Sequence, residues 1–116
     1  MRQRKWLVVG ALSLGFLLGA DSAWAQGVIE KVLLDNEAVK VSELIFPPGF
    51  RGHAHPAPVN EMAYVLEGEF TVISVPDGKR LLKSGDVDWA AKGTVHSSRN
   101  DSATPARVLV ILFKER

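Results

Sequence analysis

The chain has 116 residues, no cysteine and a formal net charge of +1 at pH 7. Its length fits one domain, and the absence of cysteine excludes both a disulfide framework and a thiol nucleophile. A small domain without disulfides must be stabilised by its core, by a bound metal or by a subunit interface.

Residues 1–25 have the pattern of a secretory signal peptide. A basic start is followed by an apolar run of 14 residues from Trp6 to Gly19 and then by the small-x-small sequence Ala23-Trp24-Ala25. We therefore expect an exported protein, periplasmic or secreted, that is cleaved after Ala25. An uncleaved anchor is the alternative, but the apolar run is shorter than the ~20 residues that a membrane-spanning helix needs.

Cleavage would leave residues 26–116 as a single domain. It would remove three basic residues and one acidic residue, which changes the net charge from +1 to −1. A near-neutral domain has no electrostatic basis for binding nucleic acid or an anionic membrane surface, so neither is an expected partner. The domain also contains no phosphate-binding glycine loop and no Ser-His-Asp arrangement.

From Gln26 onward the sequence predicts short β-strands and no helix. Runs rich in apolar and β-branched residues alternate with turn signals, and they cover residues 28–34, 39–46, 51–55, 61–66, 69–75, 80–82, 87–90, 95–98 and 107–113. Glu67-Gly68 is typical of a tight hairpin loop, and the sequence from Pro76 to Lys79 predicts another turn. This regular spacing favours an all-β sandwich or barrel.

Two of the three histidines, His53 and His55, are one residue apart. On a strand, residues i and i+2 share a face, so both imidazoles can point to one site. Glu61 and the distant His96 would complete a mixed nitrogen and oxygen ligand set, which suits transition metals. A His-x-His pair on a protein surface is common, so the pair alone does not establish a metal site.

The spacing of these residues resembles the two motifs of the cupin family. The first motif is matched by His53, His55, Glu61 and Gly68, and the second by Gly85, Gly93, His96 and Asn100. Two details depart from the pattern: five residues separate His55 from Glu61 where three or four are usual, and Ala91 replaces a proline.

The resemblance implies a small double-stranded β-helix, a jelly-roll-like barrel. It also implies a divalent transition metal (iron, manganese, copper, nickel or zinc), with the four ligands His53, His55, Glu61 and His96. In octahedral geometry four protein ligands leave two positions for water, substrate or dioxygen.

We interpret such a protein as a small-molecule metalloenzyme, a dioxygenase-type oxidoreductase. One alternative is a non-catalytic periplasmic module that binds or senses a metal or ligand, and a weaker one is a metal-assisted lyase or isomerase. Tyr64 and Asp88 are the candidates for a general base beside the ligands.

Three further expectations concern the surroundings of the ligands. Strand alternation turns one of Asp88 and Trp89 inward. Asn100 is expected to bind backbone groups at the end of the His96 strand. The unbroken apolar run from Val108 to Phe113 predicts a strand covered on both faces, which favours a homodimer.

Overall fold

The computed structural model describes residues 5–8 and 27–115, with side chains for the second range. These residues form ten β-strands: β1 Lys5–Val8, β2 Ile29–Asp35, β3 Val39–Phe46, β4 His55–Pro56, β5 Asn60–Glu67, β6 Glu69–Ser74, β7 Gly78–Lys83, β8 Val87–Ala90, β9 Val95–Arg99 and β10 Ala106–Phe113. Most of the predicted signal peptide, including the cleavage site after Ala25, lies outside the described residues. Export therefore stays a prediction.

The strands form two antiparallel sheets. The larger has the order β1-β2-β3-β10-β5-β8 and the smaller the order β4-β9-β6-β7. The prediction of an all-β fold is confirmed. In the described part of the chain, no helix is long and apolar enough to cross a membrane.

The hydrophobic core fills one end of the space between the sheets. Both sheets contribute to it, with Phe46 from the larger sheet packing against Phe70 from the smaller at a ring-centroid distance of 4.5 Å. On β3 the inward positions change along the strand, from Phe46 and Leu44 in the core to Ser42 and Lys40 at the other end. Polar inward positions leave room at that end for a functional site.

The turn at Gly68 connects the two sheets. β5 pairs with β10 and β8, whereas β6 pairs with β7 and β9, so the predicted hairpin at Glu67-Gly68 is wrong. Gly68 has a φ of +84°, and a Cβ atom there would lie 2.6 Å from the Pro105 carbonyl oxygen. Glycine is therefore required both by the left-handed backbone and by the close approach of another chain segment.

The predicted strand over 51–55 is also wrong. Arg51 forms an isolated β-bridge to Arg99 outside the named strands, and β4 begins at His55. Residues 52–54 lie between this bridge and β4 and belong to no strand. β4 itself ends at Pro56, which, like Pro58, has no backbone N–H to donate to a longer ladder.

Candidate metal centre

Three of the four predicted ligands lie together at the polar end of the fold. His55 on β4 and His96 on β9 are directly opposite each other in the smaller sheet, with ring centroids 4.7 Å apart. Glu61 comes from β5 in the larger sheet, and its Oε2 lies 3.8 Å from Nε2 of His96. The two sheets thus bring two imidazoles and one carboxylate to the same place.

These three side chains line a cavity of about 410 Å³. Its other walls include Glu30, Lys40, Ser42, Leu44, Val110 and Leu112. The size and the mixture of apolar walls with a few polar groups are typical of small-molecule sites.

His53 lies outside this cavity, and its side chain is exposed. Its carbonyl oxygen accepts a hydrogen bond from Nδ1 of His55 over 3.0 Å. With Nδ1 protonated, a neutral His55 keeps its Nε2 lone pair for another partner. Among residues 27–115, no three His, Asp or Glu side chains are already arranged around a metal position, so the four-ligand site stays a prediction.

The donor groups of this cluster nonetheless suit a divalent metal. The side chain of His96 is only 7% exposed, and its buried Nε2 has no hydrogen-bond partner among the described residues. A buried polar atom without a partner costs free energy, and a metal bound between His96 and Glu61 would remove that cost. Imidazole nitrogen with carboxylate oxygen fits the ions that the sequence predicts.

Burial shifts the pKa of each group in the direction that disfavours its charged form. It raises the pKa of Glu61 from its ordinary value of 4.5, an effect that His55 opposes and Asp88 reinforces. Burial also lowers the pKa of His96 from 6.5, helped by His55 and Arg80 and opposed by Asp88. His96 is therefore neutral at pH 7, and its contact with Glu61 is not an ion pair.

The raised pKa of Glu61 predicts that Glu61→Gln stabilises the metal-free protein at neutral pH. The folded state holds the Glu61 proton more tightly than the unfolded chain, so the wild type loses stability as pH rises from about 4.5 through the folded pKa. The glutamine has no such penalty. Thermal unfolding with a chelator present should give the variant the higher midpoint at pH 7, and the difference should shrink toward pH 4.

Bound metal should have the opposite effect on the difference in unfolding midpoint between the wild type and Glu61→Gln. Added zinc should raise the midpoint of the wild type more than that of Glu61→Gln, because the variant lacks the carboxylate. Equal midpoints for the two metal-free proteins at every pH would show that burial of Glu61 carries no penalty.

The structure shows which of Asp88 and Trp89 points inward, a question that the sequence left open. The Asp88 side chain is 10% exposed and is paired with Arg80, which also donates to Ser74 over 3.0 Å. Trp89 points outward and is 51% exposed. Tyr64 is also on the outer face, 37% exposed and outside the cavity lining. Of the two candidates for a general base, only Asp88 lies inside the fold.

Sequence reasoning did not single out the opposite wall of the cavity, formed by Glu30, Lys40 and Ser42. One signal was present: Lys40 and Ser42 share the alternation of Leu44 and Phe46 on β3, which places a charged and a polar residue on an inward face. Glu30 comes from another strand, so its position could be known only from the folded structure.

The sequence profile of the cupin domain family matches residues 42–112. This chain belongs to the cupin family. The matched range covers β3 through most of β10, and thus the whole His55, Glu61 and His96 cluster, which confirms the resemblance seen in the two motifs.

The individual proteins that this cupin resembles are distant relatives. It is 33% identical over 88 residues to a germin-like protein, subfamily 2 member 2, of Arabidopsis thaliana, with 70% of this chain and 40% of that protein covered. The chain thus spans less than half the length of that relative.

Two solved structures have the same fold. An RmlC-like cupin from Shewanella frigidimarina matches with a TM-score of 0.68 and 24% identity over 78% of both chains. A predicted oxalate decarboxylase from Thermotoga maritima matches with a TM-score of 0.68 and 26% identity over 76% of this chain and 81% of that one.

Proposed function

We propose that this cupin binds a divalent transition metal and uses it for chemistry on a small organic molecule, of the dioxygenase-type oxidoreductase kind. The observation that carries the proposal is the buried, unpartnered Nε2 of His96, 3.8 Å from the Glu61 carboxylate. His55 would be the third ligand. His53 is kept as the fourth ligand from the motif, and its ligation requires its exposed side chain to turn toward the cavity.

The chain itself would orient the ligands and exclude water. The hydrogen bond from Nδ1 of His55 to the His53 carbonyl holds the His55 ring in one tautomer. Leu44, Val110 and Leu112 supply apolar walls that strengthen electrostatic interactions inside the cavity. A bound ion would add Lewis acidity and coordination positions for a substrate.

The name of the Thermotoga maritima protein, a predicted oxalate decarboxylase, supports a small organic molecule as the substrate class, but decarboxylation is itself a lyase reaction. A lyase or isomerase would need a general base, and Asp88 is held by Arg80. This pairing favours redox chemistry over proton transfer.

A non-catalytic binding module is the second candidate, and the outward position of His53 favours it. Three ligands and an apolar cavity suffice to hold a metal and a ligand without turnover. The two candidates differ in what they predict for the metal-loaded protein.

The test loads the purified protein separately with iron, manganese, copper, nickel and zinc, and measures bound metal by elemental analysis. Each form is then incubated with a panel of small organic compounds while oxygen consumption and products are followed. Turnover that a chelator removes supports the enzyme. Bound metal with a large rise in unfolding temperature but no turnover supports the binding module. Failure to bind any of the five metals would overturn both.

We also propose that the outer face of the larger sheet is covered by a second copy of the chain. Four apolar residues form one cross-strand row there, Val41, Ile111, Met62 and Trp89. The ring of Trp89 packs 5.8 Å from that of Phe113 and is half exposed. A row of large apolar side chains on one face is typical of a subunit interface.

Trp89→Glu is expected to convert this dimer to monomers. A charge buried within an apolar interface cannot be solvated when the two copies associate. Light scattering at micromolar concentration should give twice the monomer mass for the wild type and the monomer mass for the variant. Leu81→Glu is the matched control, since Leu81 is 52% exposed on the smaller sheet. A monomeric wild type would refute the dimer.

A further inference from the structure

The cavity has a second polar cluster, Glu30, Lys40 and Ser42, on the wall formed by β2 and β3. Lys40 pairs across the sheet with Leu112, and Leu112 pairs in turn with Glu61. Adjacent strands are about 4.8 Å apart, so the backbones of Lys40 and Glu61 are separated by roughly 10 Å. The inner surface therefore carries one charged group at each end of a row, with an apolar residue between them.

Within this cluster, Glu30 is bound more closely to Ser42 than to Lys40. Ser42 Oγ donates to Oε2 of Glu30 over 2.8 Å, whereas Nζ of Lys40 is 3.5 Å from the same oxygen. The second distance exceeds that of a direct hydrogen bond, about 2.7–3.2 Å. An ammonium group has three N–H donors, and a single acceptor at this distance uses at most one of them.

We infer that Lys40 binds the carboxylate of the molecule that occupies this cavity, and that the cavity takes a small monocarboxylic acid with an apolar body. The inference rests on the proposed function, because it names the substrate class of the same site. Lys40 would hold the acid end, and the rest of the molecule would extend toward His55, Glu61 and His96.

The charge of the cavity supports an anionic occupant. Its walls carry two carboxylates, Glu30 and Glu61, and one ammonium, Lys40, beside the two imidazoles. A divalent ion would add two positive charges, so the loaded cavity would have one net positive charge, which a monocarboxylate neutralises. Charge-assisted hydrogen bonds to a carboxylate are also stronger than neutral ones.

The apolar walls support the rest of the description. Leu44, Pro58, Val110 and Leu112 line the cavity between the two polar ends. A molecule with two charged ends and no apolar part would leave these walls in contact with charge. An acid with a ring or a short alkyl chain would instead bury apolar surface against them.

The test compares 3-phenylpropanoate with its neutral analogue 3-phenylpropanamide. Binding of each to the full chain is measured by NMR titration, in the metal-free form and in the zinc-loaded form, for the wild type and three variants. Lys40→Gln should weaken binding of the carboxylate about tenfold, because a charge-assisted contact is lost, and should change binding of the amide less than twofold. Lys83→Gln removes an exposed lysine elsewhere and is the control for net charge.

Glu30→Gln should act in the opposite direction. It removes the carboxylate that competes for Lys40 and repels the ligand, while an amide oxygen can still accept the hydrogen bond from Ser42. Binding of 3-phenylpropanoate should therefore become severalfold tighter. Because this variant is expected to gain affinity, poor folding cannot produce the expected result.

Two outcomes would overturn the inference. One is carboxylate binding that is equal in the wild type, Lys40→Gln and Glu30→Gln, as expected if the acid binds only to zinc. The other is no binding of 3-phenylpropanoate in either form of the wild type. Failure of the protein to bind zinc would count against the proposed function alone, since the metal-free titrations still decide the role of Lys40.

Discussion

His96→Ala is expected to lower the affinity for a divalent metal by at least about 100-fold and to abolish metal-dependent turnover. Losing a group that only orients a ligand already costs 10- to 100-fold in affinity or activity, and losing a ligand should cost at least as much. His96 is the most buried of the candidate ligands. Its removal leaves His55 and Glu61 as the cavity's donors from the motif.

Isothermal titration with zinc measures the affinity, and oxygen consumption or product formation measures turnover. Ser97→Ala is the matched control, because Ser97 is on the same strand and pairs with Ile73, one position from the His96 register. His53→Ala tests the fourth ligand: a loss comparable to that of His96→Ala places His53 on the metal. Unchanged zinc affinity in His96→Ala would show that the buried imidazole does not bind metal.

The strands could be predicted where the local pattern is set by burial. Val39–Phe46 and Val87–Ala90 have the predicted bounds, since apolar runs between turn signals mark strands that face a core. Gly68, Gly85 and Gly93, which match the two motifs, all have positive φ angles, as glycines at turns commonly do. In the two strands the determining pattern lies within a few residues of each position.

The two wrong predictions, the hairpin at Glu67-Gly68 and the strand over residues 51–55, concern contacts between distant segments of the chain. A Glu-Gly turn has the same local chemistry in a hairpin and in a crossing between sheets, and at Gly68 the contact with Pro105 accompanies the crossing. The position of the His53 side chain depends on whether its segment joins a ladder, and residues 52–54 lie between the Arg51 bridge and β4 without belonging to a strand.

The same distinction between local and long-range information applies to the residues of the candidate site. Glu61 and His96 could be placed because the family motif carries long-range information that no periodicity contains. Alternation on β3 could place Lys40 on the inward face, but its role could not be predicted. The roles of Lys40, Glu30 and Arg80 each depend on a partner on another strand or on the cavity, and none belongs to a motif. The opposite wall of a cavity is therefore where the structure adds most to the sequence.

Asn100→Ala is expected to destabilise the fold by about 3 kcal/mol or more, because Asn100 is fully buried and its side chain makes four hydrogen bonds. Its Nδ2 donates to the carbonyl oxygens of Phe46 and Thr104 over 3.1 and 2.9 Å. Its Oδ1 accepts from the backbone N–H and the hydroxyl of Ser102 over 3.0 and 2.8 Å. The predicted role of Asn100 in binding backbone groups is thus confirmed.

These bonds join the end of β3 to the loop between β9 and β10, and alanine would leave buried partners at both ends unsatisfied. For a domain of this size a loss of about 3 kcal/mol corresponds to a fall in unfolding temperature of about 12–24 °C. The measurement is made with a chelator present, so that metal binding does not contribute.

Asn36→Ala is the matched control, because Asn36 Oδ1 also accepts two backbone N–H groups but in an exposed turn. Water can replace those bonds, so the control should lose about 1 kcal/mol or less, and equal losses in the two variants would show that burial of Asn100 adds nothing.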